Sequence, residues 1–297
     1  MESKKELYGS ILITGGGGML AHALVDVLAQ RGHRATALSR AQCDVTDAPC
    51  VRQFFDKHRP TLVLNCAAHT KVDLCEKERE KAEAINGLAV GILGRLSAEF
   101  GSCVVHVSTD FVFDGSQQRP YRPDDRVSPI NAYGRSKLLG EIQLQENAPL
   151  RWLIVRTAWV YGRHGANFPR TMVQAAQAGK PLRVVGDQHG SPTYTIDLAE
   201  AILDLLDSGA SGIWHVTNAG QTTWFDFAVA TLEEFGIDAS IEPLKSAQWT
   251  AMRPDSAPRP TYSVLDVEPT AIQLGRPMRD WRTALKDFRQ AVDRNGF

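Results

Sequence analysis

Ser10-Ile11-Leu12-Ile13-Thr14-Gly15-Gly16-Gly17-Gly18-Met19-Leu20-Ala21 reads as an apolar run, four glycines and the start of a helix. Residues 10–14 have the unbroken apolar character of a strand covered on both faces. Beyond Met19, the positions Leu20, Ala23, Leu24, Val27 and Leu28 recur at helical spacing, and Gly32 ends the run. Gly15, Gly18 and Ala21 make a G-x-x-G-x-x-A pattern between the two elements. Side chains at the early positions would hold a pyrophosphate away, while the first N–H groups and the dipole of the helix attract it. A glycine cluster alone is a flexible turn; a strand before it and a helix after it favour a dinucleotide site. Ala21 stands where a third glycine is usual, and its methyl group still allows close helix–strand packing.

The alternation continues outward. Strands are expected over 34–38, 62–67, 103–108 and 152–157, and helices over 51–58, 76–100 and 131–146. Repeated β–α units imply an α/β fold, a Rossmann-type doubly wound parallel sheet. After about residue 161 the rhythm loosens into a helix (167–178), a short strand (182–185), a loop (186–195), a helix (197–206) and a strand (213–216). Prolines at 243, 254, 258, 260, 269 and 277 imply loops and short elements in place of another long sheet. The expected organisation is a dinucleotide-binding core over 1–160, completed by about 186–217, and a smaller substrate-binding lobe from 161–185 and 218–297.

The 297 residues carry 33 basic and 34 acidic side chains, a net charge of −1, and are 43% hydrophobic. That balance offers no field for nucleic acid or anionic lipid. No run reaches the ~18 apolar residues of a membrane span. The N-terminus, with Glu2, Lys4, Lys5 and Glu6, lacks the apolar stretch of a signal peptide. A cytoplasmic protein without nucleic-acid or membrane partners is therefore expected. Cys43, Cys50, Cys66, Cys75 and Cys103 are irregularly spaced, as scattered reduced thiols are. Glu76, Glu78, Glu80 and Glu83 alternate with basic residues and read as a solvated helix face, so no metal site is expected.

The second strand ends at Leu38-Ser39-Arg40. An NAD site usually places an acid here for the ribose 2′-hydroxyl; a hydroxyl and a guanidinium suit a 2′-phosphate, hence NADPH, with NADH as the alternative. Asp44, beside Val45, either faces the adenine or caps the helix beginning near Ala48. Farther on, Tyr133 and Lys137 lie four apart and share one helix face. An ammonium beside a phenol lowers the phenol's pKa towards a useful range, which would let the tyrosine protonate a ketone oxygen during reduction. Thr109 follows the strand 103–108, and in parallel sheets ligands gather beyond the carboxyl ends of strands.

These residues resemble the extended short-chain dehydrogenase/reductase superfamily, and within it the dTDP-4-dehydrorhamnose reductases. The resemblance rests on residues 14–20, Asn65 to Asp73, Ser108 to Gly115, Tyr133 to Lys137, Arg156 to Gly162, Gly190 to Thr195 and Arg259 to Asp266, in the family's order along nearly the whole chain. It implies reduction of the 4-keto group of dTDP-4-dehydro-L-rhamnose, with Thr109 polarising the carbonyl, Tyr133 protonating it and Lys137 anchoring the cofactor. The implied cofactor contacts are Gly15, Gly18, Met19, Leu20, Ser39, Arg40, Asp44, Val45, Ala67, Ala68, Thr70, Tyr133 and Lys137. The implied substrate contacts are Asp110, Val112, Trp159 and Asn167, and the superfamily analogy implies a homodimer. Related dehydratases carry Asp-Glu after the threonine; here Phe111 follows Asp110, which argues for simple reduction. A binding subunit of the methionine-adenosyltransferase type and a reductase of another nucleotide deoxysugar are the alternatives. His69, His106, His164, His189 and His215 show no partner at a catalytic spacing and read as core or loop residues. Trp224 and Trp281 read as packing residues.

Overall fold

The computed structural model describes residues 4–147 and 149–295. Residues 1–3, including Glu2 of the charged N-terminal stretch, lie outside it.

Six parallel strands form the central sheet: β1 (Ile11–Thr14), β2 (Ala35–Leu38), β3 (Leu62–Asn65), β4 (Cys103–Thr109), β5 (Trp152–Thr157) and β6 (Gly212–His215), in spatial order β6-β5-β4-β3-β1-β2. Side chains alternate across it as the pleat requires. Ile11, Ile13, Leu62, Leu64, Val105, Leu153 and Val155 face the helices Met19–Gln30 and Thr195–Asp207. Leu12, Val63, Val104 and Ile154 face the helices Ala48–His58, Ala89–Phe100 and Ala132–Glu146. The chain reverses its direction of travel across the sheet between β1 and β3, so the loops after those strands flank a crevice at the switch point.

Two helical expectations change. The single helix over 76–100 is a series: Val72–Lys77, Arg79–Glu83, a π-helical turn Ala84–Leu88, and Ala89–Phe100. The extra residue per turn at Ala84–Leu88 carries the buried Asn86, and wide turns of this kind gather at functional sites. The proline-rich end of the chain holds short elements, yet it also holds the 15-residue helix Trp281–Asn295. That helix and Trp224–Glu234 build a second aromatic core from Tyr161, Tyr194, Phe227, Trp281 and Phe288. The loop expected over 186–195 contains two short strands, His189–Gly190 and Thr193–Tyr194, which pair with Thr222–Thr223 and Val160–Tyr161.

Among the described residues no helix is long and apolar enough to cross a membrane. The Cys43 and Cys50 sulfurs touch at 3.2 Å, so these two thiols are neighbours and not scattered.

Candidate active site

The glycine loop is shaped by the neighbouring loop after β3. Gly15 has φ +66°, and a Cβ there would lie 2.7 Å from the Ala67 nitrogen. Gly16 donates to the Leu38 carbonyl at 2.7 Å, which ties the loop to the end of β2. A Cβ on Gly17 would meet nothing within 4 Å, so the protein leaves the space over that backbone open. Beside it lies a cavity of about 350 Å³ lined by Gly15, Arg40, Asp44, Val45, Ala67, Ala68 and Thr70, together with Cys43, His69 and Lys81. An open cleft over bare backbone at a helix N-terminus fits a dinucleotide's phosphates and adenosine.

Arg40 extends from this cavity with its side chain 70% exposed, paired with Asp44 at 3.2 Å. Ser39 is held by the Gln42 side chain at 2.8 Å. Asp44 does not cap the following helix. Its carboxylate accepts from the Thr46 amide and hydroxyl, which holds its pKa down, and the cap is Asp47, which accepts from Cys50.

The inner end of the cleft is built on the helix Ala132–Glu146. Asn131 caps it by accepting from the Gly134 amide at 2.7 Å, and Glu76 accepts from the Ala132 amide at 2.6 Å. Glu76 therefore anchors this helix, contrary to its reading as part of a solvated face. A Cβ on Gly134 would collide with the Phe111 carbonyl, so glycine lets the helix press against the turn after β4. Below, Glu141 and Arg156 form a buried two-pronged ion pair at 2.7 and 2.9 Å, and Ser108 donates to Glu141 at 2.5 Å. This fastens the helix to the end of β4, where Thr109 sits.

Thr109 donates to Asp110 at 3.0 Å and accepts from the Phe111 amide at 3.2 Å, and its hydroxyl acts on the Tyr133 phenol. The protein around Tyr133 pushes its pKa up, and the Thr109 contact pulls only partly the other way. The expected lowering by Lys137 does not occur, because the ammonium is turned to the Val107 carbonyl and His106, and burial is what governs the phenol. Lys137 is buried; its ammonium donates to the Val107 carbonyl at 2.6 Å and lies 3.3 Å from His106 Nε2. Burial brings its pKa down to about 8. Asp110 is buried too, and its pKa rises to about 6 because burial outweighs the Ser263 and Thr109 hydroxyls. Among the described residues its Oδ2 has no hydrogen-bond partner.

The expected substrate contacts divide. Trp159 has φ +48°, uncommon for so large a side chain, and stacks on Trp224 at 3.6 Å. Gly190 makes room for the Trp159 ring, since any Cβ there would strike it. Val112 has its side chain fully buried with Phe113, Tyr121 and Leu265, and its carbonyl accepts from Ser128, so the side chain packs the turn. Asn167 caps the helix Phe168–Gln177 and also donates to the Gly162 carbonyl at 2.6 Å, so both ends of its amide serve the loop. Leu20 likewise lies in the core, leaving its backbone to the helix N-terminus.

Three polar residues that the sequence reading passed over hold the site together. Thr14 and Asn65 join the ends of β1 and β3 at 2.6 Å. Asn86 brackets the His69 backbone, accepting from its N–H at 2.7 Å and donating to its C=O at 3.0 Å, and donates also to Ser136 on the helix Ala132–Glu146. Each is a buried polar residue within an apolar element, the one sequence signal that could have singled them out.

The family model described as RmlD substrate binding domain matches residues 9–294. A dTDP-4-dehydrorhamnose reductase of Mycolicibacterium smegmatis is 43% identical over 95% of this chain and 85% of its own length. The chain belongs to the dTDP-4-dehydrorhamnose reductase family. Another relative, the spore coat polysaccharide biosynthesis protein SpsK of Bacillus subtilis, is 42% identical over 94% of this chain and 96% of its own. The structure of the dTDP-4-dehydrorhamnose reductase of Bacillus anthracis in complex with NADP superposes with a TM-score of 0.90 at 32% identity, covering 95% of this chain and 99% of that one. The α/β Rossmann architecture of this reductase family member thus agrees with the expectation drawn from its glycine loop.

Proposed function

We propose that this protein reduces the 4-keto group of dTDP-4-dehydro-L-rhamnose, or of a closely related nucleotide-linked 4-keto-6-deoxysugar, using NADPH. The observation that carries this reading is the junction of an open glycine cradle with Thr109 at the carboxyl end of β4 and Tyr133 in the first turn of the helix Ala132–Glu146.

In this reading the Gly15–Gly18 backbone and the first-turn amides of Met19 and Leu20 hold the pyrophosphate. Ser39 and Arg40 take the 2′-phosphate, and Asp44, Val45, Ala67, Ala68 and Thr70 surround the rest of the cofactor. The reduced nicotinamide, when bound, supplies the hydride. Thr109 donates to the sugar's keto oxygen and polarises it. Tyr133 delivers the proton that turns the developing alkoxide into the alcohol, and a raised pKa keeps the phenol protonated and ready to do so. Lys137, cationic at neutral pH, restores that proton. The unpartnered Oδ2 of Asp110 accepts a sugar hydroxyl, and Trp159 offers an aromatic face to the substrate. Residues 161–185 and 218–297 act as the substrate lobe, and the protein works as a cytoplasmic homodimer.

The test is to supply NADPH and dTDP-4-dehydro-L-rhamnose and follow loss of reduced-nicotinamide absorbance. Stoichiometric consumption with dTDP-L-rhamnose as product supports the reading. Cofactor binding without turnover supports the binding-subunit alternative.

A further inference from the structure

His106 reads as a core histidine in sequence, yet among the described residues it is the only side chain whose polar atom lies within hydrogen-bond distance of Lys137 Nζ. The tautomer of its ring follows from a chain of contacts. Thr14 Oγ1 donates to Asn65 Oδ1 at 2.6 Å, and the Ala67 N–H approaches the same atom at 3.3 Å, which fixes it as the amide oxygen. The Asn65 amide nitrogen is therefore the atom 3.0 Å from His106 Nδ1. An amide nitrogen only donates, so Nδ1 carries the lone pair. Complete burial keeps the ring neutral, which places its single proton on Nε2. That N–H faces Lys137 Nζ at 3.3 Å. A Cβ on Gly140 would strike the Asn86 carbonyl and also crowd His106 Nε2 at 3.1 Å, so glycine lets the helix Ala132–Glu146 come down on both.

We propose that His106, oriented by Asn65 and Thr14, is a positioning residue that biases Lys137 towards releasing its proton. An N–H aimed at an amine nitrogen is repelled by the ammonium form and accepted by the lone pair of the neutral form. Two other titratable groups face Lys137. Glu141, on the same helix, favours the ammonium; Cys66, after β3, has its pKa pushed up to about 12 and stays neutral. His106 thus opposes Glu141 and makes Lys137 a stronger acid towards Tyr133. The inference rests on the reading of Lys137 as the residue that restores the Tyr133 proton.

The experiment has two parts. The first is the pH dependence of kcat in wild type and in His106→Phe, which keeps an aromatic ring there and removes both nitrogens. The basic limb should move up by about one pH unit, because the ammonium loses a repulsive neighbour. A His106→Gln variant, with an amide N–H to offer, should return it part of the way. An unmoved limb assigns His106 to packing alone, and a downward shift means Nε2 was accepting from the ammonium; either overturns the proposal. The second is long-range proton–nitrogen NMR of His106 in the intact wild-type protein, which reads the tautomer whether or not the protein turns over. A proton on Nε2 is expected; a proton on Nδ1 overturns the proposal. Absence of ketosugar reduction with the Nε2 tautomer present would defeat the reductase reading and leave the tautomer assignment standing.

Discussion

The two ends of the cleft are built on opposite principles. At the adenosine end, backbone and half-exposed side chains do the shaping: Gly15 touches the Ala67 backbone, and Arg40 extends into solvent beside Asp44. At the inner end, Lys137, Asp110, His106 and the Glu141–Arg156 pair are all buried. The consequence shows in the titrating groups. Asp44, near solvent, is held below the ordinary range by its hydrogen bonds, whereas Asp110 rises to about 6 although it too accepts hydrogen bonds. Burial decides the sign at one end and local partners decide it at the other.

Arg156→Ala tests the inner end most severely. It leaves Glu141 buried without its guanidinium and unfastens the helix Ala132–Glu146 from β5, so urea unfolding should show a loss of about 3–5 kcal/mol. A loss below about 1 kcal/mol would place this pair with ordinary surface ion pairs.

Asp110→Asn is expected to act through pH. The folded-state pKa of Asp110 lies above its ordinary value, so the folded protein holds this proton more tightly than the unfolded chain does. Stability is lost as pH rises and Asp110 ionises, from about pH 4 to about 6, and Asp110→Asn escapes that loss. Thermal unfolding at pH 4 and pH 7.5 should show the variant gaining roughly 2 kcal/mol relative to wild type at the higher pH. An unchanged difference would mean Asp110 is solvated.

Arg40→Ala probes the exposed end and should have the smallest effect. Calorimetric titration should show NADPH binding weakened about tenfold, the scale of one exposed charge-assisted contact, with NADH nearly unchanged. Equal losses for both cofactors would remove the 2′-phosphate role.

The same contrast explains what could be read from the sequence. The strands and glycine loop were legible because an all-apolar run and a helical period are local signals; β5 occupies the very residues expected, 152–157. The proposed set of Thr109, Tyr133 and Lys137 was legible as residue types, since Tyr133 and Lys137 are one helical turn apart. Its electrostatics were not. Whether Lys137 meets the phenol or the His106 ring depends on a strand 31 residues earlier, and only packing shows that the ring wins. The burial of Val112 was hidden for the same reason: its place in the Ser108 to Gly115 segment marks the turn, but only packing shows that the side chain joins the cluster with Phe113. The helix Trp281–Asn295 was masked by the prolines before it, although its own sequence contains none.

The central claim is that the Tyr133 hydroxyl supplies the proton in ketone reduction. Steady-state reduction of dTDP-4-dehydro-L-rhamnose by Tyr133→Phe, measured beside its NADPH affinity, tests it most directly. The account predicts a fall in kcat of roughly 10²–10⁴-fold with cofactor affinity within a few-fold of wild type. Turnover at the wild-type rate in a variant that binds NADPH normally would contradict it.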